Sequence, residues 1–187
     1  MKKMINIVVI TDRSGSLDKK NIESLKGILS ECVFDTISRA KAVKDFDYHF
    51  AHIGFGNDAK LYTSSTNVTE EECLGAMPYS RKEMSNLSPA LKVCSKVLNN
   101  WKTSESSFVF LFTDGEITDS SKSNVRLTDR KGLYNGHFYV SLLGDKLFIS
   151  DLKMLDISTE QIYFCTEEES VCKLAEDFYN DLVLTNK

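Results

Sequence analysis

The chain has no glycine-rich turn that could cradle a phosphate, no Gly-x-Ser-x-Gly elbow and no Cys-x-x-Cys pair. The first absence argues against P-loop and dinucleotide folds, whose phosphate turns need a backbone that can approach closely. The second argues against a serine hydrolase, since no serine combines an elbow with an evident histidine base. The third leaves five cysteines, Cys32, Cys73, Cys94, Cys165 and Cys172, odd in number and scattered. They read as buried free thiols in a reducing compartment. Charge of one sign is scarce as well: 23 Lys and Arg against 27 Asp and Glu give a formal net charge of -4. There is neither a basic surface for nucleic acid nor an acidic tail. No apolar run is long enough to span a bilayer. The apolar run after Met1-Lys2-Lys3 is too short for a signal peptide and reaches Asp12 without a small-residue cleavage site. A cytoplasmic location, with neither membrane nor nucleic acid as partner, is the expectation. With 2 prolines and 9 glycines there is no linker, and there is no repeat or low-complexity tract. Ser104 to Ser107 is too brief to divide the chain, which is expected to form one domain over residues 1–187.

What the chain does have is alternation of strands and helices. Met4 to Thr11 is an apolar run broken only by Asn6, the pattern of a central parallel strand buried on both faces. From Asp18 to about Val43, Ile22, Leu25, Leu29, Cys32, Val33, Ile37 and Ala40 mark one stripe of a long helix. Phe46 to Phe55 and Lys60 to Thr63 predict an edge hairpin around Gly56-Asn57-Asp58. The pattern weakens between Ser64 and Ser85, with one helical turn at Glu70 to Cys73. It returns as a helix through Leu87, Ala90, Leu91, Cys94, Val97, Leu98 and Trp101, opened by Ser88-Pro89 as cap and first-turn proline. Strands follow at Phe108 to Thr113, His137 to Leu143 and Gln161 to Cys165. A capping box at Thr166 to Glu169 opens the last helix, which runs through Leu182. The expected fold is α/β and doubly wound: a Rossmann-like, mostly parallel sheet with one antiparallel edge strand and helices on both faces.

Two strands end in acid. The first runs into Asp12-Arg13-Ser14-Gly15-Ser16 and a later one into Asp114-Gly115-Glu116. In open α/β sheets the ligand crevice lies outside the carboxyl ends of the strands, so Asp12 and Asp114 are expected on one rim. Ser14, Ser16 and the Ser85-Asn86 loop join them there. Carboxylates and hydroxyls without imidazole or thiolate suit a hard cation, Mg²⁺ first because the carboxylates are few, with Mn²⁺ or Ca²⁺ as alternatives. Asp-x-Ser-Gly-Ser also suits a plain helix-capping turn, a reading weakened by the second acid-ended strand. Glu116 and Asp119 are candidates for supporting groups behind the ligands, but solvation is the preferred reading for a loop carboxylate, and both are left outside the immediate ligand set. His49 and His52, three apart in a strand, point to opposite faces and cannot share an ion. His137 is expected to be structural.

These motifs carry a family likeness. "DRSGS" resembles the Asp-x-Ser-Gly-Ser signature of von Willebrand factor A domains. "FLFTDGEITD", Phe110 to Asp119, is similar to the Thr-Asp-Gly-Glu segment of bacterial, tellurium-resistance-type members. "MSNLSPAL", Met84 to Leu91, lies where the family has Gly-Thr and then Ala-Leu. The resemblance implies a metal-ion-dependent adhesion site (MIDAS) with Ser14 and Ser16 as direct ligands. Asp12 and Asp114 would hold the ion directly or through water, and the third hydroxyl would come from Ser85. Two departures stand out: Ser85 replaces threonine and so loses the methyl that fixes the rotamer, and Met84 replaces glycine and narrows the backbone's freedom.

An incomplete shell leaves a place for an Asp or Glu of a partner protein. Tyr79 is a candidate anchor for that partner. Arg13, Arg81 and Lys82 are candidates for a field attracting an acidic surface. The expected function is therefore magnesium-dependent protein binding by a monomer, with a tellurium-resistance or stress-response system implied by the resemblance alone. The alternatives are a metal-independent scaffold and, from another class, a metal-dependent phosphohydrolase. The latter is disfavoured because Ser14 stands where a haloacid-dehalogenase-type phosphatase needs its second acid, so no enzyme is expected.

Overall fold

The computed structural model describes residues 2–13, 19–75, 84–101, 106–114, 116–119, 136–143 and 162–184. Six strands form one sheet: β1 (Lys3–Asp12), β2 (Phe46–Phe55), β3 (Ala59–Thr66), β4 (Ser107–Thr113), β5 (Gly136–Leu142) and β6 (Ile162–Phe164). Their order is β3-β2-β1-β4-β5-β6, with every pairing parallel except the β2–β3 edge hairpin. The helices are α1 (Lys19–Leu29), α2 (Thr36–Val43), α3 (Glu70–Gly75), α4 (Leu87–Trp101) and α5 (Glu168–Leu184). The expected α/β, doubly wound, mostly parallel sheet with one antiparallel edge strand is thus the observed fold.

Alternation along the strands divides the core in two. Ile5, Ile7 and Val9 of β1 face one side with Phe108, Phe110 and Phe112 of β4, under α1, α2 and α5. Val8 and Ile10 face the other with Val109 and Leu111, under Leu87, Leu91, Cys94 and Leu98 of α4. The first side is aromatic. Phe178 of α5 meets the rings of Phe108, Phe110 and Tyr139 edge-on at 5.2, 4.8 and 5.9 Å, an arrangement that favours the ring quadrupoles. Each fully buried phenylalanine contributes on the order of 1.5–3 kcal/mol.

The long helix expected from Asp18 to Val43 contains a π-helical segment, Ser30–Asp35, between α1 and α2. Cys32, Val33 and Phe34 are all buried there, and three consecutive residues cannot share one face of a regular α-helix. The wider turn lets all three pack inward, where Cys32 Sγ donates to Val171 O of α5 at 3.5 Å. Periodicity placed every residue of the stripe correctly inside but carried no signal for the extra residue in the turn.

Smaller differences have local causes. α4 begins at Leu87, so Ser88 lies within the helix and does not cap it; its true cap is described below. None of the five cysteines forms a disulfide. Cys32, Cys73 and Cys94 are buried as expected, Cys165 is half-buried and Cys172 is exposed on α5. Burial pushes the Cys73 thiol up to about 12, which keeps it protonated and unreactive. His137, structural as expected, has Nδ1 2.9 Å from Asp181 Oδ2 of α5 and stacks on Phe108.

Candidate functional site

Strand β1 lies between β2 and β4. The crossover that leaves it through α1 and α2 covers one face, while α4, leading into β4, covers the other. The carboxyl ends of β1 and β4 therefore form the switch point at which an open α/β sheet leaves a crevice. Asp12 ends β1, and Asp114 follows β4 directly. Thr11 is paired with Phe112, so the two acids leave the sheet side by side. Both are buried, at 4 % and 8 % exposure.

The Ser85 loop reaches the same point. Ser85 Oγ donates to Asp12 Oδ2 at 2.7 Å, and Thr113 Oγ1 donates to the same oxygen at 3.0 Å. Asp114 Oδ1 accepts the Glu116 N–H at 3.2 Å. Met84 is exposed and takes no left-handed backbone conformation, which among the described residues only Asn67 does outside glycine. Replacing glycine at this position therefore leaves Ser85 free to reach Asp12.

Of the residues expected at the site, the structure brings Asp12, Ser85 and Asp114 together. Ser14, Ser16, Tyr79, Arg81 and Lys82 lie outside the described residues. Arg13, expected to present its charge to a partner, is placed differently. Its side chain is only 7 % exposed; Nη1 donates to Tyr62 OH at 3.0 Å and Nη2 to Asp58 Oδ1 at 2.8 Å. The guanidinium is a strut from the first loop to the β2–β3 hairpin, because Gly54 beneath it offers no side chain to displace it. A Cβ at Gly54 would stand 2.5 Å from Tyr62 Cε2 and 2.8 Å from Arg13 Cδ. Gly54→Ala is thus expected to cost about 1–3 kcal/mol by overpacking, measured by denaturant unfolding; an unchanged midpoint would show that the strut yields freely.

The hairpin turn braces the second loop too. Asn86 N donates to Gly56 O at 2.9 Å and Met84 N to Asn57 Oδ1 at 3.1 Å. Sequence reasoning missed two contributors to this rim, Thr113 and Thr118, and set aside a third, Asp119. Asp119, expected to be solvated, is 2 % exposed. Its Oδ1 accepts from Leu87 N at 2.8 Å and its Oδ2 from Ser88 N at 3.0 Å, which supplies the cap that Ser88 was expected to provide. The available signal was the run Thr113 to Asp119 itself, an acid repeated five residues after Asp114 in a segment too short to be a free loop.

Among the described residues no three His, Cys, Asp or Glu side chains gather as a metal-binding group. The expected shell has only two such residues, Asp12 and Asp114, completed by hydroxyls. The donor set fits a hard divalent cation: it is all oxygen, with two buried carboxylates at the ends of neighbouring strands.

A doubly wound α/β domain with an acid-and-hydroxyl rim at its switch point defines a class. Residues 6–135 match the von Willebrand factor type A domain, and the chain belongs to that family. Its members are commonly protein-interaction or adhesion modules rather than enzymes. No curated protein matches the chain. Among solved structures it is similar to the open conformation of the pilus adhesin SpaC from Lactobacillus rhamnosus GG. That match has 12% identity and a TM-score of 0.72 over 97% of this chain and 30% of the adhesin. It is also similar to proximal thread matrix protein 1 of the mussel byssus, at 16% identity and TM-score 0.62 over 98% of this chain and 46% of that one. The SpRpn10 VWA domain matches at 12% identity and TM-score 0.64, over 95% of each chain. The chain thus spans less than half the length of the adhesin and the thread protein. No helix among the described residues is long and apolar enough to cross a membrane.

Proposed function

We propose that this domain binds a divalent cation, Mg²⁺ by preference, at Asp12, Ser14, Ser16, Ser85 and Asp114, and through it an acidic side chain of a partner protein. The observation that carries the reading is the meeting of Ser85 Oγ with Asp12 Oδ2 at the switch point, 73 residues apart in sequence, beside a second buried carboxylate. When bound, the cation would supply a positive centre with a coordination position open to a carboxylate. The chain's own residues do the rest: Asp12 orients the Ser85 hydroxyl, Thr113 steadies Asp12, and the Arg13 strut fixes the start of the first loop. Tyr79, Arg81 and Lys82, in the segment between α3 and α4, are the residues we assign to the partner's surface. We place the protein in the cytoplasm as a monomer, with no nucleic acid or membrane as ligand. The Thr113-Asp114-Gly115-Glu116 run is the only feature favouring a tellurium-resistance or stress-response setting.

One observation favours a second reading. Asp12 Oδ2 already accepts two hydroxyl hydrogen bonds, so the same residues would serve a metal-independent scaffold in which Asp12 simply ties the loops together. Mg²⁺ titration by calorimetry and thermal shift separates the two. The native protein is expected to give a saturable response that Asp12→Ala, Ser14→Ala loses, followed by capture of acidic partners in Mg²⁺ but not in chelator. A native protein indifferent to Mg²⁺ leaves the scaffold.

A further inference from the structure

The segment after Asp114 is fastened to the Ser85 loop by more bonds than a helix cap requires. Asp119 satisfies two of the N–H groups that the first turn of α4 leaves without helical partners, and its negative charge lies at the positive end of that helix. Thr118 caps nothing. Its backbone N–H donates to Ser85 O at 2.8 Å, while its Oγ1 accepts the Ser85 N–H at 3.2 Å. Ser85 is thus gripped on both sides of its α-carbon by one residue, and the next two helical N–H groups by the adjacent one. The grip sets where the Ser85 hydroxyl stands relative to Asp12.

We infer that Thr118 and Asp119 are positioning residues for the cation site, registering the Ser85 loop against the loop that carries Asp114. The inference rests on the metal reading proposed above. Its physical content is preorganisation. A hydroxyl held in place before the cation arrives need not be ordered at binding, and that saved entropy appears as affinity. It also explains why α4 does not rely on its own Ser88. A local cap would hold the helix but leave Ser85 untied to β4, whereas an acid from the β4 loop holds both. Contact between the loops is then a property of the site rather than of helix stability alone.

Thr118 is exposed, so Thr118→Val removes the acceptor for the Ser85 N–H while sparing the core. Two readouts are followed on the full chain: Mg²⁺ affinity by calorimetry, and hydrogen exchange of the Ser85 amide by NMR without metal. Thr118→Val is expected to speed Ser85 exchange and weaken Mg²⁺ binding about three- to tenfold, the scale of one hydrogen bond. Thr118→Ser, which keeps the oxygen, restores both. Leu98→Ala in the core of α4 lowers stability without changing Mg²⁺ affinity, which distinguishes positioning from general loosening. Native Mg²⁺ affinity in Thr118→Val overturns this inference and leaves the metal reading intact. An equal loss of affinity in Leu98→Ala overturns it too. A native protein without a Mg²⁺ response removes the metal reading and this inference together.

Discussion

Between pH 6.5 and pH 4 the protein is expected to lose about 3 kcal/mol of stability through His52 alone. His52 is fully buried in β2, with Nε2 2.8 Å from Thr11 Oγ1 and its ring 5.3 Å from that of Tyr62. Its Nδ1 has no hydrogen-bond partner. A neutral imidazole protonated on Nε2 tolerates this, because Nδ1 is then a bare lone pair. The imidazolium would bury a second N–H with no acceptor. Burial lowers the pKa from 6.5 to about 4. In that window the unfolded chain binds a proton that the folded chain refuses, so stability is complete above pH 6.5 and falls as pH drops towards 4. The gap is worth about 3 kcal/mol. Urea unfolding at several pH values on the native protein and on His52→Gln measures it, since glutamine keeps a group that can reach Thr11 and removes the titration. Curves that stay parallel between pH 7 and pH 4 would show that water or a shifted loop reaches Nδ1 and that the imidazolium is accommodated.

His52 also shows where sequence reading reaches its limit. Strand periodicity correctly sent His49 and His52 to opposite faces: His49 stacks on Trp101 of α4, and His52 joins Thr11 on the other side. Periodicity carries that information because it is local and has a fixed period. The two acid-ended strands were legible for the same reason, since an apolar run that stops at Asp marks the sheet's carboxyl edge in either strand. What the sequence did not show are contacts made across long separations by residues with several local options. Arg13 looked like a free loop cation, and only the hairpin 45 residues later supplies Asp58. Asp119 looked solvated because nothing near it in sequence says that α4 begins beside it. The local choice, Ser88 followed by proline, satisfied every capping rule and was set aside in favour of a tertiary partner. Residues at the switch point obey the packing of three loops before they obey their own propensities.

That packing leads to an expectation for Asp12, where the two readings of the rim diverge most. Without metal, Asp12→Ala is expected to cost about 2–4 kcal/mol, because the buried hydroxyls of Ser85 and Thr113 lose their acceptor and each unmet group costs about 1–3 kcal/mol. Asp12→Asn keeps an oxygen for both hydroxyls and removes a carboxylate buried beside that of Asp114, so in chelator it is expected to be as stable as the native protein or more stable. Added Mg²⁺ should reverse the order. At a hundredfold excess over its dissociation constant a bound ion stabilises the native fold by about 2.7 kcal/mol, and Asp12→Asn, lacking the charge, gains none of it. The melting curves of the native protein and Asp12→Asn therefore cross as Mg²⁺ is raised, while Asp12→Ala lies below both throughout. A scaffold that uses Asp12 only as a hydrogen-bond acceptor predicts no crossing, with the difference between Asn and Asp the same at every Mg²⁺ concentration. The asparagine variant is decisive where the alanine variant is not, because it removes the charge that a cation needs and keeps the acceptor that the fold needs.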